Sequence, residues 1–215
     1  MLITVEKDVD NLIWSTSNPL YCLLKFVIGT SFNLKEMFGT ILRKKVTDEK
    51  LANVFINGLF STIDNVFPII AELINEDPVF VSSPGVKPGE SYEFSIIVFV
   101  ANINFIESSF DQEQADRVQK LVHDKLSKVY DIPLVDLKKM FNEYKSLMDR
   151  LNHPSKNTIY AMSKGIFDKY ALYNFQDEYF KRMQAPNPLF LKRMDEIVEN
   201  FVWDWDNFFK KYRLD

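Results

Sequence analysis

Glycine, histidine and cysteine are the scarce residues of this chain: six, two and one among 215. Each scarcity removes a class of chemistry. Phosphate-cradling loops need clustered glycines so that backbone can approach an anion closely. Here the glycines stand at 29, 39, 58, 85, 89 and 165, and only Gly85 and Gly89 lie near each other. Histidine and cysteine supply most metal ligands, general bases and thiol nucleophiles, so neither a metal nor a cofactor is expected. Cys22 has no partner for an internal disulfide and reads as a small buried hydrophobe. That usage fits a reducing compartment, and a cytoplasmic location is expected.

Three further absences narrow the reading. The first residues, Met1 to Asp8, carry acids early and no basic run, unlike a secretory leader. The apolar run Phe94–Ile106 is interrupted by Asn102 and Asn104 and is too short to span a bilayer, so no membrane insertion is expected. Basic excess is missing too. A net charge of −4 argues against a general phosphate-backbone binder, and no nucleic-acid partner is expected.

What is present is helix punctuation. With 47% hydrophobic and 26% charged residues, the composition is that of a globular protein able to bury a sizeable core. Ser17-Asn18-Pro19 opens a segment Leu20–Ile28 that Gly29 stops, and Asn33 with Glu36 resembles a capping box for Leu34–Lys45. Thr47 and Asp48 open a long helix to about Ile74, with Leu51, Phe55, Leu59, Ile63, Val66 and Ile70 on one face. Asn53, Asn57, Ser61 and Asp64 line the other, and Pro68 falls on that polar side. Further helices are predicted over 112–130, 133–151, 157–174, 176–183 and 189–213, with Asp111, Pro133 and the prolines at 186 and 188 as their punctuation.

The segment 92–109 is apolar on every side when plotted as a helix, which means burial all round. It is read as the central helix, with a doubly buried strand as the alternative. The fold class is therefore all-α: one bundle of about seven or eight helices spanning 1–215, with 152–156 as the place where a subdomain break would fall. The long connection 75–90 holds Phe80, and Pro84-Gly85 and Pro88-Gly89 read as turns. Such connections serve as lids or binding loops; a proline-stiffened crossover is the plainer alternative. Val79-Phe80-Val81 has strand character and is matched with Leu2–Val5.

Residues of the types that carry chemistry are few. His123 beside Asp124 resembles the pair of HD-type phosphohydrolases, but no histidine precedes it to complete that site. Carboxylate pairs at helical spacing, Glu72/Glu76, Glu113/Asp116 and Glu196/Glu199, have the form of an Mg²⁺ site yet project from polar faces. A helix-turn-helix over 34–49 onward fails because its second helix exposes Asn and acids, not base-reading side chains. Tyr160, Tyr170, Tyr173 and Tyr179 are read as core or as the wall of an aromatic pocket.

The leading expectation is a non-enzymatic interaction or regulatory protein that binds another protein or itself. A small apolar or aromatic ligand is the alternative occupant, and a metal-dependent phosphohydrolase is the third reading. If 189–213 is one helix, Phe190, Met194, Ile197, Val198, Phe201, Trp205, Phe208, Phe209 and Tyr212 face the core. Trp203 then points to the polar side among Glu196, Glu199 and Lys210, where an exposed tryptophan is a preferred interface anchor. The competing expectation is that another element of the same chain covers it.

Overall fold

The structure is a computed structural model that describes residues 44–214. The predicted segments 20–28 and 34–43, and the pairing of 2–5 with 79–81, lie outside the described residues. Thr47 caps the first described helix, its hydroxyl accepting from the Lys50 N–H at 3.3 Å, with Asp48 and Glu49 in the first turn. That helix, α1 (Asp48–Asn75), buries Leu51, Phe55, Leu59, Ile63, Val66 and Ile70 and exposes Asn53, Asn57, Ser61 and Asp64. Pro68 sits inside it, half-buried. Among the described residues α1 is the helix long and apolar enough to cross a membrane by composition, and half of that stretch is buried inside the bundle.

Helix α2 (Tyr92–Ser109) is the centre. Every residue from Phe94 to Ile103 is buried, so a run apolar on all sides forms a helix, not a strand. It packs against α1, α3 (Gln112–Val129), α4 (Leu134–Asn152) and α5 (Thr158–Lys169). Asp111 is the cap expected from the sequence and accepts from the Gln114 N–H at 2.9 Å; Asn157, expected as the first residue of its helix, is instead its cap and accepts from the Ile159 N–H at 2.9 Å. Buried residues on both sides of 152–156, Met148 and Ala161 among them, belong to one hydrophobic cluster.

Three element boundaries differ from expectation. Residues 44 and 45 do not end a helix. Lys44–Val46 form strand β1, which pairs in parallel with β2 (Tyr212–Leu214) and buries Val46. The segment expected to run to 174 stops at Lys169, because Ala171 adopts a left-handed conformation (φ 51°) before a 3₁₀ turn over Leu172–Phe175. The last helix is broken in two. Helix α6 (Glu178–Met183) leads to α7 (Pro188–Val198), a 3₁₀ turn over Glu199–Phe201, and only then α8 (Trp205–Lys211).

The cause of that break lies on α2. Asn102, fully buried, donates from Nδ2 to the Phe201 carbonyl at 2.8 Å, and its Oδ1 accepts from the Trp203 N–H at 2.7 Å. Phe201 O and Trp203 N are groups that a continuous helix would have used internally. Asp204 then caps α8 by accepting from the Asn207 N–H at 2.8 Å. Asn102 therefore has the interior partners that its burial requires. Asn104, two residues on, is exposed.

The 75–90 connection is a tethered crossover. The Asn75 carboxamide donates to the Val86 carbonyl and accepts from the Val86 N–H, each at 2.8 Å. Buried Asp77 ion-pairs with Arg193 of α7 at 2.6 Å. Phe80 bridges Gln176, its ring packs at a tilt 5.2 Å from that of Phe190, and the Val81 N–H donates to the Phe175 carbonyl at 2.8 Å. Gly85 takes φ +70°, a turn conformation that glycine adopts without strain, while Pro88 and Gly89 are exposed. Pro84 is half-buried.

Candidate functional site

Gln176 is the residue around which one end of the molecule is organised. Fully buried, it donates from Nε2 to the Ala185 carbonyl at 3.0 Å and accepts at Oε1 from the Asn187 N–H at 2.7 Å. Its backbone bridges Phe80. One side chain thus ties together the 75–90 crossover, the 172–176 turn and the loop between α6 and α7. A buried carboxamide with both ends satisfied specifies that arrangement, since losing either partner would strand a polar group.

The segments held this way carry apolar side chains that point outward. Helix α6 buries none of its residues, although it contains Tyr179, Phe180 and Met183. Tyr179 and Met183 are 66% and 61% exposed, and Val81 on the tethered crossover is 68% exposed. Tyr173 and Leu189 are exposed as well. Val81, Tyr173, Tyr179, Met183 and Leu189 thus place several large exposed apolar side chains on segments tied to one residue.

Beside α6 lies a cleft of about 590 Å³ between α4, α5 and the 172–186 segment. Leu151, Phe167, Tyr173 and Pro186 give it an apolar lining, and Arg150, Lys164 and Lys181 stand around it with Asp168 as the one acid. Lys164 is fixed in place: it donates to the Leu151 carbonyl at 2.7 Å and lies 4.4 Å from the centre of the Tyr160 ring. Lys181 pairs with Glu178 at 3.3 Å. In a chain of net charge −4 this end carries a local positive excess. None of these cations was singled out from the sequence, because 150, 164 and 181 sit on three different helices and share no spacing. The visible signal was the Ala185-Pro186-Asn187-Pro188 punctuation, which placed the loop but not what it faces.

The other predicted residues land elsewhere. Trp203 is buried, its ring against Phe55 at 5.4 Å and over the Cα of Gly58, where an added Cβ would stand 2.7 Å from it. The expectation that it faces solvent beside Glu196, Glu199 and Lys210 is corrected: the break at 202–204 turns it inward, and covering comes from the same chain. Glu196 and Glu199 are exposed on one side of the break and Lys210 on the other. Tyr173 lines the cleft, Tyr179 is exposed, and Tyr170 packs against Phe67 with its hydroxyl donating to the Glu90 carbonyl at 2.6 Å. The carboxylate pairs are exposed, and among the described residues no three His, Cys, Asp or Glu side chains converge as a metal site would require.

A polar network closes the N-terminal end of α2. Tyr144 donates its hydroxyl to Glu93, and Lys169 lies 3.8 Å from the centre of the Tyr144 ring and 3.9 Å from the Glu93 carboxylate. Tyr130 shares a 2.8 Å hydrogen bond with Ser95. Burial raises the hydroxyl pKa of Tyr130, Tyr144 and Tyr170, so all three stay protonated donors. Each hydroxyl has a partner within the chain, which makes the network structural.

His123 is pushed the other way. Burial lowers its pKa below 6.5, Lys138 adds to that, and the Nδ1 contact with the Gln119 carbonyl at 2.8 Å opposes it. In the folded protein the neutral ring is favoured, so the unfolded chain binds more protons below pH 6.5. This contribution to stability is complete above 6.5 and is lost as pH falls through the folded value. Urea midpoints measured between pH 7.5 and 5 are expected to fall on acidification, and His123→Gln to flatten the decline. Equal slopes for the two proteins would show that His123 does not drive it.

No known protein family, characterised protein or solved structure matches this chain.

Proposed function

We propose that this chain is a non-enzymatic interaction protein whose described portion docks an acidic, aromatic-containing segment of a partner protein. The observation that carries the reading is the pairing of α6, which buries none of its residues, with an apolar cleft flanked by three cations and one acid. Tyr179 and Met183 supply apolar contact area, with tyrosine favoured at interfaces because it offers contact area with few rotors. Arg150 and Lys181 select acidic partners by complementarity, acting mainly on encounter and specificity. The rigid tethering by Gln176 and the Asp77–Arg193 pair presents this surface ready-formed, which lowers the ordering cost of binding.

A second reading follows from the cleft itself. Its volume and apolar lining suit a single aromatic carboxylate, the small-ligand alternative, with Lys164 or Arg150 on the carboxylate. Fluorescence anisotropy with a peptide panel separates these readings. Acidic-aromatic peptides are expected to bind, basic ones not, with affinity falling as salt rises. The double variant Arg150→Glu/Lys181→Glu should weaken binding about tenfold, on the order of two rim charge contacts reversed. Tyr179→Ala should weaken peptide binding and leave an aromatic acid in the cleft untouched. A panel without charge preference, or variants that bind as the wild type does, would overturn the proposal.

A further inference from the structure

A second cleft, of about 420 Å³, lies between α2, α4, α5 and the 153–158 connection. Its floor is apolar: Val100, Met148 and Ala161 are each buried. Its polar wall is rich in hydrogen-bond donors and positive charge. Asp149, the one acid among the described lining residues, is paired with Lys145 at 2.6 Å. Lys156 is exposed and forms no ion pair among the described residues, and His153 shares that wall.

Two donors of this wall have no acceptor among the described residues. The first is Asn152, which closes α4 and is 8% exposed. Its Oδ1 is sealed in the interior, so the NH₂ is the accessible end of a carboxamide that lines the cleft, and that NH₂ makes no hydrogen bond. Turning the side chain over would seal in two unpaired N–H groups instead of one oxygen, a costlier arrangement. The second is at the head of α5, where Thr158 lines the cleft as the first helical residue. Asn157 accepts from the Ile159 and Tyr160 N–H groups at Oδ1 and from the Ala161 N–H at its carbonyl, which leaves the Thr158 N–H as the open donor of that turn. A helix N-terminus carries partial positive charge and favours an anion beside it.

We propose that this cleft is a binding site for a small organic carboxylate with an apolar tail. The carboxylate oxygens accept from the Asn152 NH₂ and the Thr158 N–H, Lys156 supplies the counter-charge, and the tail lies on Val100, Met148 and Ala161. A carboxylate is acceptor only, which matches a wall of donors, whereas a neutral amide would turn an N–H of its own towards one of them. Inorganic phosphate would satisfy the donors but leave the apolar floor unused. The described linings of this cleft and of the basic-rimmed one share no residue, so the inference stands without the first site.

Benzoate is the probe, with benzamide as its neutral counterpart and acetate as the anion without a tail. Each is titrated into the full-length ¹⁵N-labelled protein at constant ionic strength. Nine heavy atoms at the efficiency of ordinary small ligands give an expected Kd of about 10 mM. Benzoate is expected to shift the Asn152 side-chain NH₂ and the Thr158 backbone amide together, with one Kd. Benzamide, which lacks the charge, and acetate, which lacks the ring, should each bind about tenfold more weakly. Asn152→Ala should weaken benzoate about tenfold. Lys156→Gln, at an exposed position that leaves the core intact, should weaken it about three- to fivefold and keeps the test decisive should Asn152→Ala fail to fold. Unshifted Asn152 and Thr158 resonances at about 50 mM benzoate, several times the expected Kd, equal binding of benzamide, or unchanged affinity in Lys156→Gln would overturn the proposal. Benzoate shifts confined to Phe167 and Tyr173, in the basic-rimmed cleft, would overturn it as well.

Discussion

Trp203→Ala is expected to lower folding stability by about 3–5 kcal/mol, the range for truncating a core aromatic, read as a shift of the urea midpoint at constant m-value. The ring sits between Phe55 at 5.4 Å, Trp205 at 6.1 Å and Phe208 at 6.5 Å, so alanine leaves a void that rigid neighbours cannot close. A companion substitution makes the expectation sharper. Gly58 lies within α1, where Gly→Ala ordinarily gains up to about 1 kcal/mol of helix propensity. Here the new Cβ would stand 2.7 Å from the Trp203 ring, so Gly58→Ala is expected to destabilise. In the Trp203→Ala background the obstruction is absent and Gly58→Ala should turn stabilising, a change of sign that a double-mutant cycle measures directly. Additive effects, or a Trp203→Ala protein as stable as the wild type, would contradict the inward placement and restore the tryptophan to a surface role.

Asn102→Leu is the second large effect. Leucine matches the size of asparagine and the apolar surroundings but strands the Phe201 carbonyl and the Trp203 N–H, both now held by Asn102 at 2.8 and 2.7 Å. Two buried backbone groups left unpaired cost about 1–3 kcal/mol each, so a loss of about 2–6 kcal/mol is expected. Near-ultraviolet circular dichroism should change with it, because Trp203 and Trp205 flank the released segment. A variant with wild-type stability and an unaltered tryptophan signal would show that the break at 202–204 does not depend on Asn102.

These two residues also mark where linear reading stops. Class and most helix limits were open to it because their causes are local. Thr47 and Asp111 cap the turns that they precede, and the apolar stripe of α1 recurs with the helix period. The burial of the stretch Phe94–Ile103 within 92–109 followed from its composition alone, since a helical stretch apolar on all sides has no face to give to water. Most of the core stripe of the C-terminal segment was likewise legible: Phe190, Met194, Ile197, Val198, Phe201, Trp205 and Phe208 are buried, while Phe209 and Tyr212, expected with them, are only half-buried.

The side of the chain that Trp203 faces was not legible. A 100° step per residue holds only while the helix continues, and this helix is interrupted by a side chain 101 residues earlier in the sequence. Asp204 was a local hint of a new N-terminus, but nothing near it showed that Asn102 would take the Trp203 N–H. The two clefts have the same character. Arg150, Lys164 and Lys181 come to line one cleft through the packing of α4, α5 and α6, and Asn104 and Asn152 come to line another through the packing of α2 on α4. The sequence by itself determined the helices, their caps and the all-α class, because those depend on contacts within about one turn. Only the tertiary structure decided where the last helix breaks, which way Trp203 turns and which polar groups share a cavity. Those depend on hydrogen bonds and packing between residues far apart in the chain.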